Sequence, residues 1–217
     1  LALQQVKFDP TIQKWVFLAF YVGFGILAAI WPFHTWSPDG HASAPTAVSM
    51  LHAGVLMKLG AYGVVRLGIG LLPEGTVHWA WLVGLIACIN IVYGALSALS
   101  QTDLKYVIAY SSVSHMGVVM LGIATLTNFG INAAIFGMVA HGLITGLLFF
   151  VAGSVQHQYH TREMSRLGGL LKSAPHMGWI LGFAAMASLG LPGLAGFWGE
   201  FPSILSAYHP AAGLSVT

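Results

Sequence analysis

Lys58 stands in the middle of the apolar run 44–72, within Val55-Leu56-Met57-Lys58-Leu59-Gly60. It lies about 14 residues from either end, roughly 21 Å at the helical rise, too deep for its amine to snorkel easily to the membrane surface. An ionised group at that depth costs at least about 2.5–3.5 kcal/mol on insertion scales and tends to be retained for function. Low-dielectric surroundings penalise the ammonium, so the amine can load and release a proton. The other account is a permanent ion pair with a neighbouring helix. His115 lies mid-segment in Ser114-His115-Met116-Gly117, with Ser111 on the same helical face. His141 lies mid-segment in Ala140-His141-Gly142-Leu143, with Thr145 one turn on. Imidazole titrates near physiological pH, so both can relay protons. Glu200, in Gly199-Glu200-Phe201, can take a proton from such a path, pair with a cation, or mark a helix end at the interface.

Other histidines carry less. His34 and His41 flank the first break in the apolar runs, near Pro32, and read as loop-facing; His52 precedes Lys58 by one and a half turns. His157 and His160 are three apart, but no third ligand of suitable spacing follows, so no metal site is expected. Asp103 and Lys105, at a helix start, and Arg66, near a helix end, read as interfacial. Trp31, Trp36, Trp79 and Trp81 suit an aromatic belt.

The elements holding these groups follow from composition. Of 217 residues only 8 are Lys or Arg and 6 are Asp or Glu; 57% are hydrophobic. Mean hydropathy is +0.79. Soluble domains carry about 25% charged residues, and 6% cannot clothe a water-facing surface. The formal charge of +2 argues against nucleic acid. The single Cys88 excludes a disulfide framework, a zinc ribbon and a Cys-ligated cluster.

Six apolar stretches, at roughly 13–31, 44–72, 77–100, 104–126, 129–155 and 176–208, each supply the ~20 residues needed to cross hydrocarbon as a helix. The reading is an all-α integral membrane domain over 1–217. Breaks are expected near Pro32 and at Gly190-Leu191-Pro192-Gly193, where proline removes a backbone donor. Such breaks are common in membrane helices, yet in transporters they often mark an ion path. Thr102 is placed to cap the helix that follows. Loops alternate sides: Lys105, Arg162, Arg166 and Lys172 fall on one side, Lys7, Lys14 and Arg66 on the other. The positive-inside rule puts loops 32–43 and 156–175 in the cytoplasm. A start at Leu1 and a stop just after a hydrophobic run suggest a piece of a longer protein.

Pro32-Phe33-His34-Thr35-Trp36-Ser37-Pro38-Asp39-Gly40-His41 and Ala44-Pro45-Thr46-Ala47 open a series of motifs. Leu56-Met57-Lys58-Leu59-Gly60-Ala61-Tyr62-Gly63, Gln101-Thr102-Asp103-Leu104-Lys105 and Ile108-Ala109-Tyr110-Ser111-Ser112-Val113-Ser114-His115-Met116-Gly117 continue it. Ala140-His141-Gly142-Leu143, His160-Thr161-Arg162 and Gly196-Phe197-Trp198-Gly199-Glu200-Phe201 complete it. In this order, along almost the whole chain, the motifs resemble the antiporter-like subunits of respiratory complex I (NADH:quinone oxidoreductase), the chain M group in particular. The resemblance implies about fourteen helices in two inverted repeats, of which this chain matches the seventh to the twelfth. It implies that Lys58 is the central lysine of a proton path, that His115 and His141 continue it, and that Glu200 is its terminal carboxylate. It also implies proton translocation coupled to quinone reduction, as a non-redox subunit. NADH, flavin, iron–sulfur clusters and quinone then belong to other subunits, and no cofactor or metal to this chain. The partners implied are lipid and neighbouring membrane-arm subunits of the L and N type, in the bacterial inner (cell) membrane.

Two departures stand out. The family usually carries a second buried lysine seven residues before the histidine matching His34; here that position is Leu27. Either another group substitutes, or a half-channel is altered or lost. Chains L and N and the sodium/proton antiporter subunits typically have a lysine four residues after the histidine matching His141; here it is Thr145. That favours chain M or a membrane-bound hydrogenase subunit over a cation/proton antiporter subunit. Two further readings are a haem carrier with His115 and His141 as axial ligands and an inert scaffold.

Overall fold

The computed structural model describes Val6 and residues 8–209. Local sequence sets each helix start. Helix α1 (Pro10–Leu27) opens on Asp9, whose carboxylate accepts from Thr11 N at 2.8 Å, with Pro10 at the first helical position. A short helix α2 (Trp36–Ser43) follows, then the long α3 (Thr46–Ile69), α4 (Pro73–Leu99) and α5 (Leu104–Ala124). Thr127 caps α6 (Asn128–Tyr159) by accepting from Gly130 N at 3.0 Å; α6 ends on His160 in the left-handed conformation. The last apolar run forms two half-length helices, α7 (Pro175–Ser188) and α8 (Ala195–Ala207). Among the described residues there is no strand, only one isolated bridge between Asp103 and Glu163.

Five helices are long and apolar enough to cross a membrane: α1, α3, α4, α5 and α6. The sixth expected span is the broken pair α7 and α8. Helix α5 is the axis of the bundle, packing against α4, α6, α8 and α2. It buries the largest share of its length, its inner face formed by Val113, Met116, Met120 and Ile123. That centrality brings His115 into the interior.

Both breaks exist. The first falls earlier than Pro32: α1 stops at Leu27 and helix resumes at Trp36, with Ala29 in a left-handed conformation at φ 56. Backbone groups loosened there find side-chain partners, as lipid cannot solvate them. Trp31 N donates to Asn90 Oδ1 at 2.9 Å, Asn90 Nδ2 donates to the Val113 carbonyl at 2.7 Å, and Trp36 Nε1 donates to the Ile26 carbonyl at 2.8 Å. Trp31 thus serves the break through its backbone N–H and Trp36 through its indole, whereas Trp79 Nε1 donates to the Lys14 carbonyl at the end of the bundle where α1 begins. Asn90 is fully buried. Asn90→Leu strands a buried N–H and is expected to cost about 1–3 kcal/mol, read as earlier thermal inactivation of the full-length subunit in detergent.

The region 32–43 is not a polar loop. Ser37, Pro38, His41 and Ala42 are buried in α2, and His34 and His41 are 2% and 0% exposed, so neither is loop-facing. The proline and aspartate that read as breakers sit at a helix start, where they are tolerated. Thr102 is not the cap of α5; Asp103 is, accepting from Lys105 N at 2.8 Å. Lys105, in the first turn of α5, is buried: at 3% exposure it donates to the Ala44 carbonyl at 3.0 Å. Arg162 pairs with Asp103 at 2.9 Å and donates to the Ala42 carbonyl at 2.7 Å. Two cations thus complement the carbonyl end of α2. Arg166 pairs with Glu163 at the exposed surface, Arg66 is exposed, and Lys7 lies outside the described residues.

Arg162→Lys is expected to behave like Arg162→Ala, because one ammonium cannot hold a carboxylate and a carbonyl in the same fork. Both variants are expected to lower the thermal midpoint of the subunit, and a lysine as stable as wild type would contradict the fork.

Candidate functional site: a buried line from Lys58 to Glu200

Lys58 projects from the middle of α3 between two π-helical turns, His52–Leu56 and Val64–Ile69. Such turns are rare and gather at functional sites. Lys58 is 7% exposed. No carboxylate pairs with it among the described residues, so the permanent ion pair is replaced by two uncharged partners. Its Nζ donates to the Ala53 carbonyl, five residues back in the first π turn, and lies 2.7 Å from His141 Nδ1. An ammonium donates there, so Nδ1 of a neutral His141 accepts and Nε2 carries the hydrogen, a tautomer assigned from these partners. The His141 Nε2 atom is buried and meets no partner among the described residues.

The next imidazole is close. His115 and His141 have ring centroids 5.1 Å apart at an interplanar angle of 50°. His115 Nδ1 is 2.8 Å from Glu200 Oε1, and Ser188 Oγ is 3.2 Å from His115 Nε2. His115, His141, Ser188 and Glu200 share a cavity of about 20 Å³. That is room for about one water molecule. Lys58, His141, His115 and Glu200, which the resemblance put on one path, stand on four helices and form one line in which His141, not His115, is next to Lys58.

The second break shapes the far end of the line. Gly190 and Gly193 take φ +66 and +95, conformations open to glycine. A Cβ on Gly190 would lie 2.7 Å from Glu200 Oε2, so its absence leaves room for the carboxylate. Ser188 is the last residue of α7, which places its hydroxyl where the helix stops. Sequence reasoning did not single out Ser188 or the Ala53 carbonyl. The available signals were a serine two residues before a glycine break and a carbonyl within lysine's reach. Ser111 makes no hydrogen bond to His115, and the Thr145 hydroxyl bonds the His141 carbonyl of its own helix.

A second set of imidazoles lies toward the Lys105–Arg162 end. His41 and His52 have centroids 4.5 Å apart, and His41 stacks on Phe149 at 4.9 Å. His34 meets Tyr93 edge-on at 4.7 Å. Both ring nitrogens of His34 and of His41, and Nε2 of His52, are buried with no partner among the described residues. His157 and His160 are exposed and take no part.

Comparison with known proteins shows the family of the chain as a whole. The family described as NADH:quinone oxidoreductase/Mrp antiporter, TM, matches residues 2–216. The chain belongs to that family. It is similar to NADH-quinone oxidoreductase subunit M of Rhodobacter capsulatus, 43% identical over 198 residues, covering 91% of this chain and 39% of that protein. It is likewise similar to NAD(P)H-quinone oxidoreductase chain 4 1 of Synechococcus sp. (strain JA-3-3Ab), 42% identical over 209 residues, covering 94% and 40%. Among solved structures it resembles a chain of respiratory complex I from Thermus thermophilus with bound NADH. There the TM-score is 0.87 at 36% identity, over 93% of this chain and 43% of that one. A chain of the Mrp complex from Dietzia sp. DQ12-45-1b gives 0.82 at 25% identity, over 86% and 35%. The chain thus spans about two fifths of the length of the curated relatives it matches.

Proposed function

We propose that this chain is part of a proton-translocating membrane-arm subunit of an NADH:quinone oxidoreductase, a single membrane domain within an inverted-repeat subunit of about fourteen helices. One observation carries the reading: Lys58 Nζ at 2.7 Å from His141 Nδ1 and His115 Nδ1 at 2.8 Å from Glu200, with a water-sized cavity lined by both imidazoles. Each imidazole uses one nitrogen to receive and the other to pass on. The Lys58 ammonium gives its proton to His141 Nδ1, and Nε2–H of His141 releases one into the cavity. A proton reaching His115 Nε2 is matched by one leaving Nδ1 for the Glu200 carboxylate. Charge arriving at one group raises the cost of charge on the next, an effect that is strong at low effective dielectric.

The unpartnered nitrogens of His41 and His52 support access to Lys58 from the Lys105–Arg162 end, since buried polar groups are normally met by protein or water. That end, with Arg162, Arg166 and Lys172, is assigned to the cytoplasm and the membrane to the bacterial inner membrane. Nothing among the described residues stands in for the lysine absent at Leu27. Lys58 therefore receives its proton without an ion-paired lysine on α1. Redox groups and quinone belong to partner subunits of the L and N type and their neighbours.

The subunit of a cation/proton antiporter or membrane-bound hydrogenase is the alternative, and Thr145 in place of lysine weighs against the antiporter. A porphyrin between His115 and His141 does not fit rings 5.1 Å apart over so small a cavity. The test is Glu200→Gln in the full-length subunit of the intact complex in proteoliposomes. At least a tenfold loss of proton translocation is expected, with no change when sodium is replaced by choline. Sodium-dependent transport would move the chain to the antiporter reading, and undiminished translocation would remove Glu200 from the path.

A further inference from the structure

At two of the crossings of α6 the line of ionisable groups is flanked by backbone pressed on backbone. A Cβ on Gly142 would lie 2.7 Å from the Gly54 carbonyl oxygen, and one on Gly54 would lie 3.3 Å from the Gly142 carbonyl oxygen. Gly142 follows His141, and Gly54 follows Ala53, whose carbonyl holds Lys58. A Cβ on Gly199 would lie 2.5 Å from the Gly137 Cα, whereas one on Gly137 would lie 3.5 Å from the Gly199 Cα. Gly199 precedes Glu200, and Gly137 stands one turn before His141 on α6. The other α6 glycine near the line, Gly146, faces open space.

Building on the proton-transfer reading, we propose that these two glycine crossings of α6 are the spacers that set the transfer distances. Gly54–Gly142 fixes Lys58 against His141, and Gly137–Gly199 fixes Glu200 against His115. The reason is geometric. Each crossing lies next in sequence to a transfer partner, so a methyl group that parts the backbones carries that partner with it. A displacement near 1 Å at a reacting pair can cost about a hundredfold. The contacts are lopsided, so the effects are lopsided too. Gly142 and Gly199 admit no Cβ without backbone movement, whereas Gly137 meets an ordinary contact and Gly54 a tight one. These glycines are positioning residues and touch no proton themselves.

The experiment uses the intact complex carrying Gly142→Ala, Gly54→Ala, Gly199→Ala, Gly137→Ala or Gly146→Ala, each scored per assembled complex. Proton translocation, its pH profile and quinone reduction are read together. Gly142→Ala and Gly199→Ala are expected to lower translocation about tenfold or more and to shift the pH profile. Gly54→Ala falls between, about two- to threefold by its intermediate contact; Gly137→Ala, at an ordinary contact, shows the smallest loss of the four, and Gly146→Ala matches wild type. Pure packing damage would lower the amount of complex and leave the pH profile of the survivors unchanged, and that result overturns the proposal. Should Gly142→Ala or Gly199→Ala fail to assemble, Gly54→Ala decides: a pH profile and rate identical to Gly146→Ala overturn it. Lys58→Ala in the same series separates the two ideas. Unchanged translocation in that variant defeats the underlying relay, whereas its loss beside a wild-type Gly142→Ala defeats only the spacers.

Discussion

Lys58→Ala in the full-length subunit of the intact complex is expected to lower proton translocation by about a hundredfold or more. A positioned proton-transfer group contributes typically about 10²–10⁴ in rate, and Lys58 is the only amine on the line. The methyl group that replaces it leaves His141 Nδ1 facing nothing that can donate. Lys58→Arg is the telling companion. Guanidinium fills the same space and keeps the donor to the Ala53 carbonyl, but it does not give up its proton. Arginine is therefore expected to assemble as well as wild type and to translocate as poorly as alanine. Proton release into a weakly buffered medium, measured per quinone reduced, checks both. A pumping arginine variant would mean that charge alone, and not transfer, is what position 58 supplies.

The second large effect is at His115. In His115→Asn the side-chain amide can still donate toward Glu200, so packing and the carboxylate partner are retained, but an amide does not cycle a proton between two nitrogens. Translocation is expected to fall by about 10²–10⁴ while the complex assembles normally. Ser188→Ala is expected to lose about fivefold, since a hydrogen bond worth roughly 1 kcal/mol orients Nε2 without carrying the proton itself. The ratio of the two variants, in one proteoliposome assay, distinguishes carrier from orienter. Equal effects would show that the hydroxyl carries the proton.

Much of the site was legible because hydrocarbon punishes ionisable groups. Lys58, His115 and His141 stood out against runs of apolar residues, and the cost of placing them there made them conspicuous. Glu200 was legible through its place after a glycine break. The polar segment 32–43 misled for the converse reason. Pro32, Pro38, Asp39 and Gly40 look like a surface loop in one dimension, yet Ser37, His41 and Ala42 are covered by neighbouring helices. Lys105, at a helix start, likewise gives no sign in one dimension that it is buried against the end of α2. The break near Pro32 was expected at the proline, but Ala28 and Ala29, which carry no breaking signal, already lie outside the helix.

Taken alone, the amino-acid order determined that the chain crosses a membrane several times, that its last span is broken, and which four ionisable side chains stand within or beside apolar runs. These follow from local rules: apolar length, a missing backbone donor at proline, and charge against hydrocarbon. The resemblance grouped the four on one path, but only the tertiary structure decided their order, Lys58, His141, His115, Glu200, and the contacts between them. It also supplied Ser188, the Ala53 carbonyl and Asn90 as partners, and buried His34 and His41. Those facts depend on how α3, α5, α6 and α8 cross, and crossing distances are set by contacts such as that of Lys58 with His141, 83 positions apart. No local pattern encodes such contacts.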